Sequence, residues 1–150
     1  MTIRLEDRSP MTNADGLITI DGLTGYFSDF SGVKIKTTRP TYSDGLTNIK
    51  RKAGSGATEY QNVTCKRSFD PDKDGDVVDW ADRMRCSLDT ADITARPVTR
   101  CGGITRRGTK AWRLSGCRIE TFETFEINTA DGNNVVMLSL EFTVEQAAWG

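Results

Sequence analysis

The sequence predicts a mainly β domain with a single helix and one long protruding loop or hairpin, and three observations carry that reading. Val136, Leu138, Leu140, Phe142 and Val144 alternate with Met137, Ser139, Glu141, Thr143 and Glu145, the period of a strand with one buried and one wet face. Only the segment VVDWADRMRCSL, residues 77–88, repeats its apolar residues at helical spacing. Between alternating stretches, TYSDGLTNIKRKAGSGA, residues 41–57, shows little periodicity and gathers Gly and Ser near its end. A loop of that length inside a compact domain usually serves a function.

Taken in order, LITIDGLTGYF (residues 17–27) reads as a strand, an Asp21-Gly22 turn and a second strand, because D-G supplies the positive φ of a tight hairpin. Residues 32–38 set Val33 and Ile35 against Lys34 and Lys36, the pattern of a half-buried strand. The loop 41–57 carries a basic cluster, Lys50, Arg51 and Lys52. A strand over 59–69 follows, with Val63 and Cys65 inward. In the helix, Val77, Trp80, Met84 and Leu88 form the packing stripe, Asp76 is placed to cap the start, and Asp79 and Arg83 stand in the favourable i,i+4 order. The remainder is strand: 93–100, 110–127 with a bend or bulge at Gly116, an Asp131-Gly132 turn, then 135–146.

Composition bounds the function. The 150 residues suit one domain with a core of its own. Mean hydropathy is −0.46 and MTIRLEDRSP has acids and no apolar core of a leader, which predicts a soluble, unexported chain. Histidine is absent, which removes Ser-His-Asp and Cys-His nucleophilic sites, histidine-ligated zinc and imidazole acid–base chemistry, and no acid pair stands out as a catalytic dyad. No cofactor and no enzymatic role are expected. The four cysteines, Cys65, Cys86, Cys101 and Cys117, form no C-x-x-C pair and read as buried reduced thiols.

Two motifs approach ligand chemistry. Asp70-Pro71-Asp72-Lys73-Asp74-Gly75-Asp76 matches the first half of an EF-hand loop, but Ala81 stands where the bidentate Glu is required and a strand precedes it. A solvated acidic loop beside a helix N-terminus is the reading preferred. The run from Cys101 to Gly108 is glycine-rich but lacks a phosphate-loop lysine, and reads as a turn. A small calcium- or nucleic-acid-binding β module is therefore the alternative from a different class, with Trp112 in the basic block as a stacking residue.

Net charge is only −1, yet charge is arranged in blocks: residues 34–52 carry +5, 70–92 carry −5, 96–118 carry +7 and 119–150 carry −6. Such alternation fits surfaces that recognise one another, either between subunits or across neighbouring strands of one fold.

Several segments taken together resemble the tail tube proteins of long-tailed bacteriophages, which are related to the inner tubes of contractile injection systems. They are Leu17-Ile-Thr-Ile-Asp-Gly, Gly25-Tyr-Phe-Ser, Ser31-Gly-Val, Thr41-Tyr-Ser-Asp-Gly, Arg51-Lys, Tyr60-Gln-Asn-Val-Thr-Cys-Lys-Arg, Asp79-Trp80, Trp112-Arg-Leu and residues 135–145, in the family's order. The resemblance implies a β-sandwich or barrel of two packed antiparallel sheets over 17–149 with one flanking helix, preceded by an N-terminal arm, 1–16. It implies hexameric rings that stack into a hollow tube for genome ejection, built in the host cytoplasm and resident in the virion tail. Tape-measure, baseplate and terminator proteins, and sheath if the tail contracts, would be its partners, with DNA passing through unbound. The lumen-facing set would be Ser139, Glu141, Thr143 and Glu145. The loop 41–57 matches the protruding hairpin that contacts the next ring, so Lys50, Arg51 and Lys52 would meet the acidic stretch Asp70, Asp72, Asp74 and Asp76. An inner-tube subunit of an injection or secretion system, with protein as cargo, is the alternative within this class.

Overall fold

A computed structural model describes residues 10–23, 25–43, 45, 49–130 and 132–150, so Asp131 of the second predicted turn and Asp44 of the loop lie outside the described residues. The architecture is built on one strand that serves two sheets. Strand β10 (Trp112–Glu123) pairs through its first half with β8 (Ala91–Thr99), and through its second half with β11 (Met137–Thr143). Strand β1 (Gly16–Ile20) extends the first side; β7 (Val63–Ser68) and then β2 (Asp29–Phe30) extend the second, all antiparallel. The order β1-β8-β10-β11-β7-β2 thus wraps around, and a bridge between Ile18 and Phe27 brings its two ends together. The result is a β-sandwich bordering on a barrel.

Gly116 makes the wrap possible. Its φ is +67°, it sits where the β10 register shifts against β8, and a Cβ there would stand 2.6 Å from the Cβ of Glu145. The predicted bulge is therefore a bend that only glycine fits without strain. Opposite it, the expected strand over 135–146 is interrupted. It runs as β11, breaks at Val144 and Glu145, and resumes as β12 (Gln146–Trp149) against the start of β10.

Inside the wrap lies one core. Ile18, Ile20, Ile93, Leu114, Leu138, Leu140, Phe142, Val63 and Cys65 fill it from the strands. Helix α1 (Gly75–Arg85) closes it with Val77, Trp80, Ala81 and Met84, the Trp80 ring 6.3 Å from that of Phe142. Each large apolar side chain so buried is worth about 1.5–3 kcal/mol. The helix is held at its start by Asp74, which is 6% exposed and receives a 2.5 Å charge-assisted hydrogen bond from Arg67 Nη2 and another from the Asp70 amide at 2.9 Å. Arg67 is the inward-pointing residue of β7 two steps beyond Cys65, and its guanidinium lies 4.8 Å from the centre of the Phe27 ring.

Several expectations are corrected. The helix spans Gly75–Arg85, with Asp74, not Asp76, at the N-cap position, and the ion pair on its surface joins Asp82 to Arg85. Leu88 does not pack: it is 84% exposed, because the chain leaves the helix at Cys86 and Ser87 Oγ accepts the Asp89 amide, a local turn that wins over a further helical step. The half-buried strand expected over 32–38 is β3 (Ile35–Thr38), exposed at every residue, while Val33 before it packs against the core. The second strand of the first hairpin reduces to the Phe27 bridge, since β2 crosses to pair with β7. Of the thiols, Cys65 and Cys117 are buried but Cys86 and Cys101 are exposed, the former just past the helix and the latter in the turn that leads to β9 (Thr105–Arg106). Burial pushes the Cys65 thiol up to about 12, with Cys117 adding to the rise, and the Cys117 thiol up to about 11.

Four outcomes follow from this packing. Gly116→Ala is expected to lower the unfolding free energy by about 2–4 kcal/mol, read from the urea midpoint, since it combines left-handed strain with a collision. Asp74→Ala should cost about 3–5 kcal/mol by removing the carboxylate paired with a buried guanidinium. Asp72→Ala, on the exposed side of the same loop, should stay within about 0.5 kcal/mol. A thiol reagent should modify Cys86 and Cys101 at once in the native protein, and Cys65 and Cys117 only on unfolding. Fast labelling of all four would contradict the core described.

Candidate assembly interface

The loop predicted over 41–57 is a paired ribbon. Strand β3 pairs with β6 (Ala57–Tyr60), and beyond Arg39-Pro40 the ladder resumes between β4 (Thr41–Ser43) and β5 (Lys50–Lys52). Residues 53–56 bulge opposite Arg39 and Pro40, where Gly56 lies so close to the Thr38 carbonyl that a Cβ would run into it and Arg39 Nη1 donates to the Gly54 carbonyl at 2.7 Å. Lys50, Arg51 and Lys52 all lie on β5 and all are exposed, as are Ile35, Tyr42 and Ile49. Register puts Tyr42 opposite Arg51 on one face of the ribbon, and Lys50 and Lys52 opposite Ser43 and Thr41 on the other.

The ribbon and the acidic loop leave the sheet at opposite ends. The Gln61 amide still bonds the Lys34 carbonyl at the ribbon base, and β7 begins two residues later at Val63. Asp70 to Asp76 follow the other end of β7, at Ser68, about 20 Å away along the strand. Of the four acids proposed there, Asp74 is corrected: it is consumed inside the fold by Arg67. Asp70 Oδ1 accepts the Asp72 amide, while Asp72 and Asp76 are exposed.

The polar face of the second sheet gathers most of the proposed lumen set. Cross-strand register aligns Glu123, Ser139, Lys66 and Asp29 in one row, Thr121, Glu141 and Thr64 in the next, and Arg118 with Thr143 in the third. Asn62 Nδ2 donates to Glu120 Oε2 at 2.5 Å and to Glu141 Oε1 at 3.1 Å, so two carboxylates are held on one amide. Ser139 and Glu141 are half-buried and Thr143 is exposed. Glu145 does not continue the row: it stands in the break after β11, its side chain against Gly116. The face is thus acidic on balance with Lys66 and Arg118 among the acids. The outer side of the first sheet differs, aligning Thr19, Thr94, Arg113 and Ala148, with Arg96 in the adjoining row.

Sequence reasoning missed two features. The Arg67–Asp74 pair had a signal, a cation at an inward position of an alternating strand. The connection between β10 and β11 leaves Phe125 exposed, and Ile127 and Val135 exposed at a cleft, and nothing in its pattern marked that surface. For chemistry, the described residues contain no group of three or more His, Cys, Asp or Glu side chains placed to hold a metal ion, and the two buried thiols are poor nucleophiles with their raised pKa values.

The fold has known counterparts. In the sheath–tube complex of an extracellular contractile injection system, PVC, in its extended state, a chain 16% identical matches with a TM-score of 0.76 over 94% of this chain and 91% of its own. A chain of the anti-feeding prophage tube-terminating cap, 15% identical, matches at 0.74 over 100% and 95%. Hcp1 from Flavobacterium johnsoniae, 11% identical, matches at 0.53 over 90% and 94%. Among curated proteins no sequence matches. Residues 17–148 match the family described as T4-like virus tail tube protein gp19, and with most of its length so covered the chain belongs to that family.

Proposed function

We propose that the protein is a non-enzymatic tube subunit that forms hexameric rings, and that the rings stack into the hollow tube of a phage tail through which the genome is ejected. The observation that carries the stacking is the placement of the exposed basic ribbon and the exposed acids Asp70, Asp72 and Asp76 at opposite ends of β7. A subunit with complementary surfaces at its two ends repeats head to tail, and such heterologous contacts build open filaments, not closed dimers. A two-stranded ribbon with no third strand is marginal by itself in water, so this one is stabilised by what it docks on.

Ser139, Glu141 and Thr143, with Glu120, are the proposed lumen lining. An acidic wall repels phosphates and lets a nucleic acid slide, whereas the arginine-bearing outer side of the first sheet would hold it by counterion release. The tube would sit in the virion tail after assembly in the host cytoplasm, with tape-measure, terminator and baseplate proteins at its ends and sheath around it if the tail contracts. The contractile injection-system tubes among the structural counterparts favour a second reading in which the cargo is protein.

Electron microscopy of the purified protein tests the assembly: rings or hollow tubes are expected, and a monodisperse monomer at high concentration would defeat the proposal. Lys50→Glu/Arg51→Glu/Lys52→Glu should leave rings intact but shorten tubes and change the salt concentration at which they fall apart. Unaltered tube length and salt stability would remove the ribbon from the ring boundary.

A further inference from the structure

We infer that the outer ladder of the ribbon, β4 with β5, of one copy seats in the cleft beneath the β10–β11 connection of the next copy, so that the acidic loop after β7 is the rim of that seat and not its centre. The inference rests on the stacked-tube reading and specifies where the contact falls. The cleft is about 550 Å3, and its lining includes Asp29, Glu123, Glu126, Ile127, Val135 and Met137, together with Lys66. It lies at the Ser68 end of β7: Met137 pairs with Ser68, and the Phe69 amide bonds the Val136 carbonyl. The ribbon springs from the Val63 end. Seat and ribbon therefore stand at opposite ends of one strand, as a head-to-tail repeat requires.

Chemistry selects the occupant. The connection exposes Ile127 at 58% and Val135 at 71% beside Glu123 and Glu126, a mixed apolar and acidic surface. The ribbon supplies the complement: Tyr42 and Arg51 share one face, and Ile49 adjoins it, also exposed. Tyr and Arg are the residue types that anchor interfaces when desolvated, and apolar side chains buried together hold where screened charges do not. The acidic loop offers less, since Asp74 is bound to Arg67 and the Asp70 carboxylate already accepts the Asp72 amide. Its free carboxylates suit Lys50 and Lys52, which point to the other face of the ribbon. Phe125 links the two surfaces, its ring 5.9 Å from that of Phe69 just before Asp70.

The test uses the full chain with Cys86→Ser and Cys101→Ser, to which Ile49→Cys and Ile127→Cys are added. Oxidation of assembled tubes should give a ladder of covalent multimers, with at most a trace from either single variant. Tubes that form normally but cross-link only when Ile49→Cys is combined with Asp72→Cys would move the seat to the acidic loop and overturn the inference while leaving the tube reading intact. If the unaltered chain makes neither rings nor tubes, the tube reading fails and the seat with it. As a second measurement, Glu123→Lys/Glu126→Lys should lower the yield of tubes at least tenfold while single rings and the circular dichroism spectrum persist. Adding Arg51→Glu, on the ribbon face that meets the seat, should restore it in part, and undiminished tubes in the Glu123→Lys/Glu126→Lys variant would also overturn the seat.

Discussion

A twelve-residue strand that bends once organises the whole molecule. Strand β10 is too long to serve one flat layer, and both ladders of the fold depend on it. At Gly116 the chain takes a left-handed conformation and passes close beneath Glu145, so the first four residues join one sheet and the last six join the other. A sheet that continued straight would expose Leu114 and Leu138 on one open surface. Folding at Gly116 turns those same side chains toward each other and leaves them fully buried.

Once the sheet wraps, its ends must be managed. Helix α1 covers the core with an apolar stripe, and its start is held by a buried ion pair whose geometry is fixed by the Asp70 amide as well as by Arg67. A paired buried charge is tolerated where its remaining hydrogen-bonding groups are met, and here it ties the helix to β7. Outside this core the chain runs out into a ribbon at the Val63 end of β7. The stability of the body and the exposure of the ribbon are thus separate matters: one core holds the strands and helix, while the described ribbon residues are held by their own ladder and by local bonds such as that from Arg39 to Gly54.

Where a residue's environment is set by near neighbours, the sequence disclosed it. The alternation around Leu140 gave the buried and wet faces of β11, helical spacing found Val77, Trp80 and Met84, and the glycine within an otherwise continuous strand marked the bend. Leu88 was misread because a serine three residues after Met84 satisfies a turn amide, a one-bond competition that periodicity does not register. Ile35 was misread for a different reason. Alternation signals a face that will be covered, without saying whether the covering comes from the same chain. The charge blocks were visible, but Asp74 and Asp72, two residues apart in one acidic run, have opposite fates. One points at Arg67 and the other at water, which only tertiary placement decides. The cleft under the β10–β11 connection was illegible because it is made by backbone that carries no period.

The ribbon poses one further physical problem, that of its own open edges. A bare two-stranded ladder presents two free edges, which invite pairing with any other strand. Lys34, Lys36, Arg39, Lys50, Arg51 and Lys52 lie along this one, with Glu59 alone among the described acids, so two ribbons meeting edge to edge bring like charges together. The same charges are attracted to an end of the molecule where Asp29, Glu123, Glu126, Asp70 and Asp72 collect. In the proposed tube, repulsion between like ends and attraction between unlike ends would impose direction on growth, which area alone could not do.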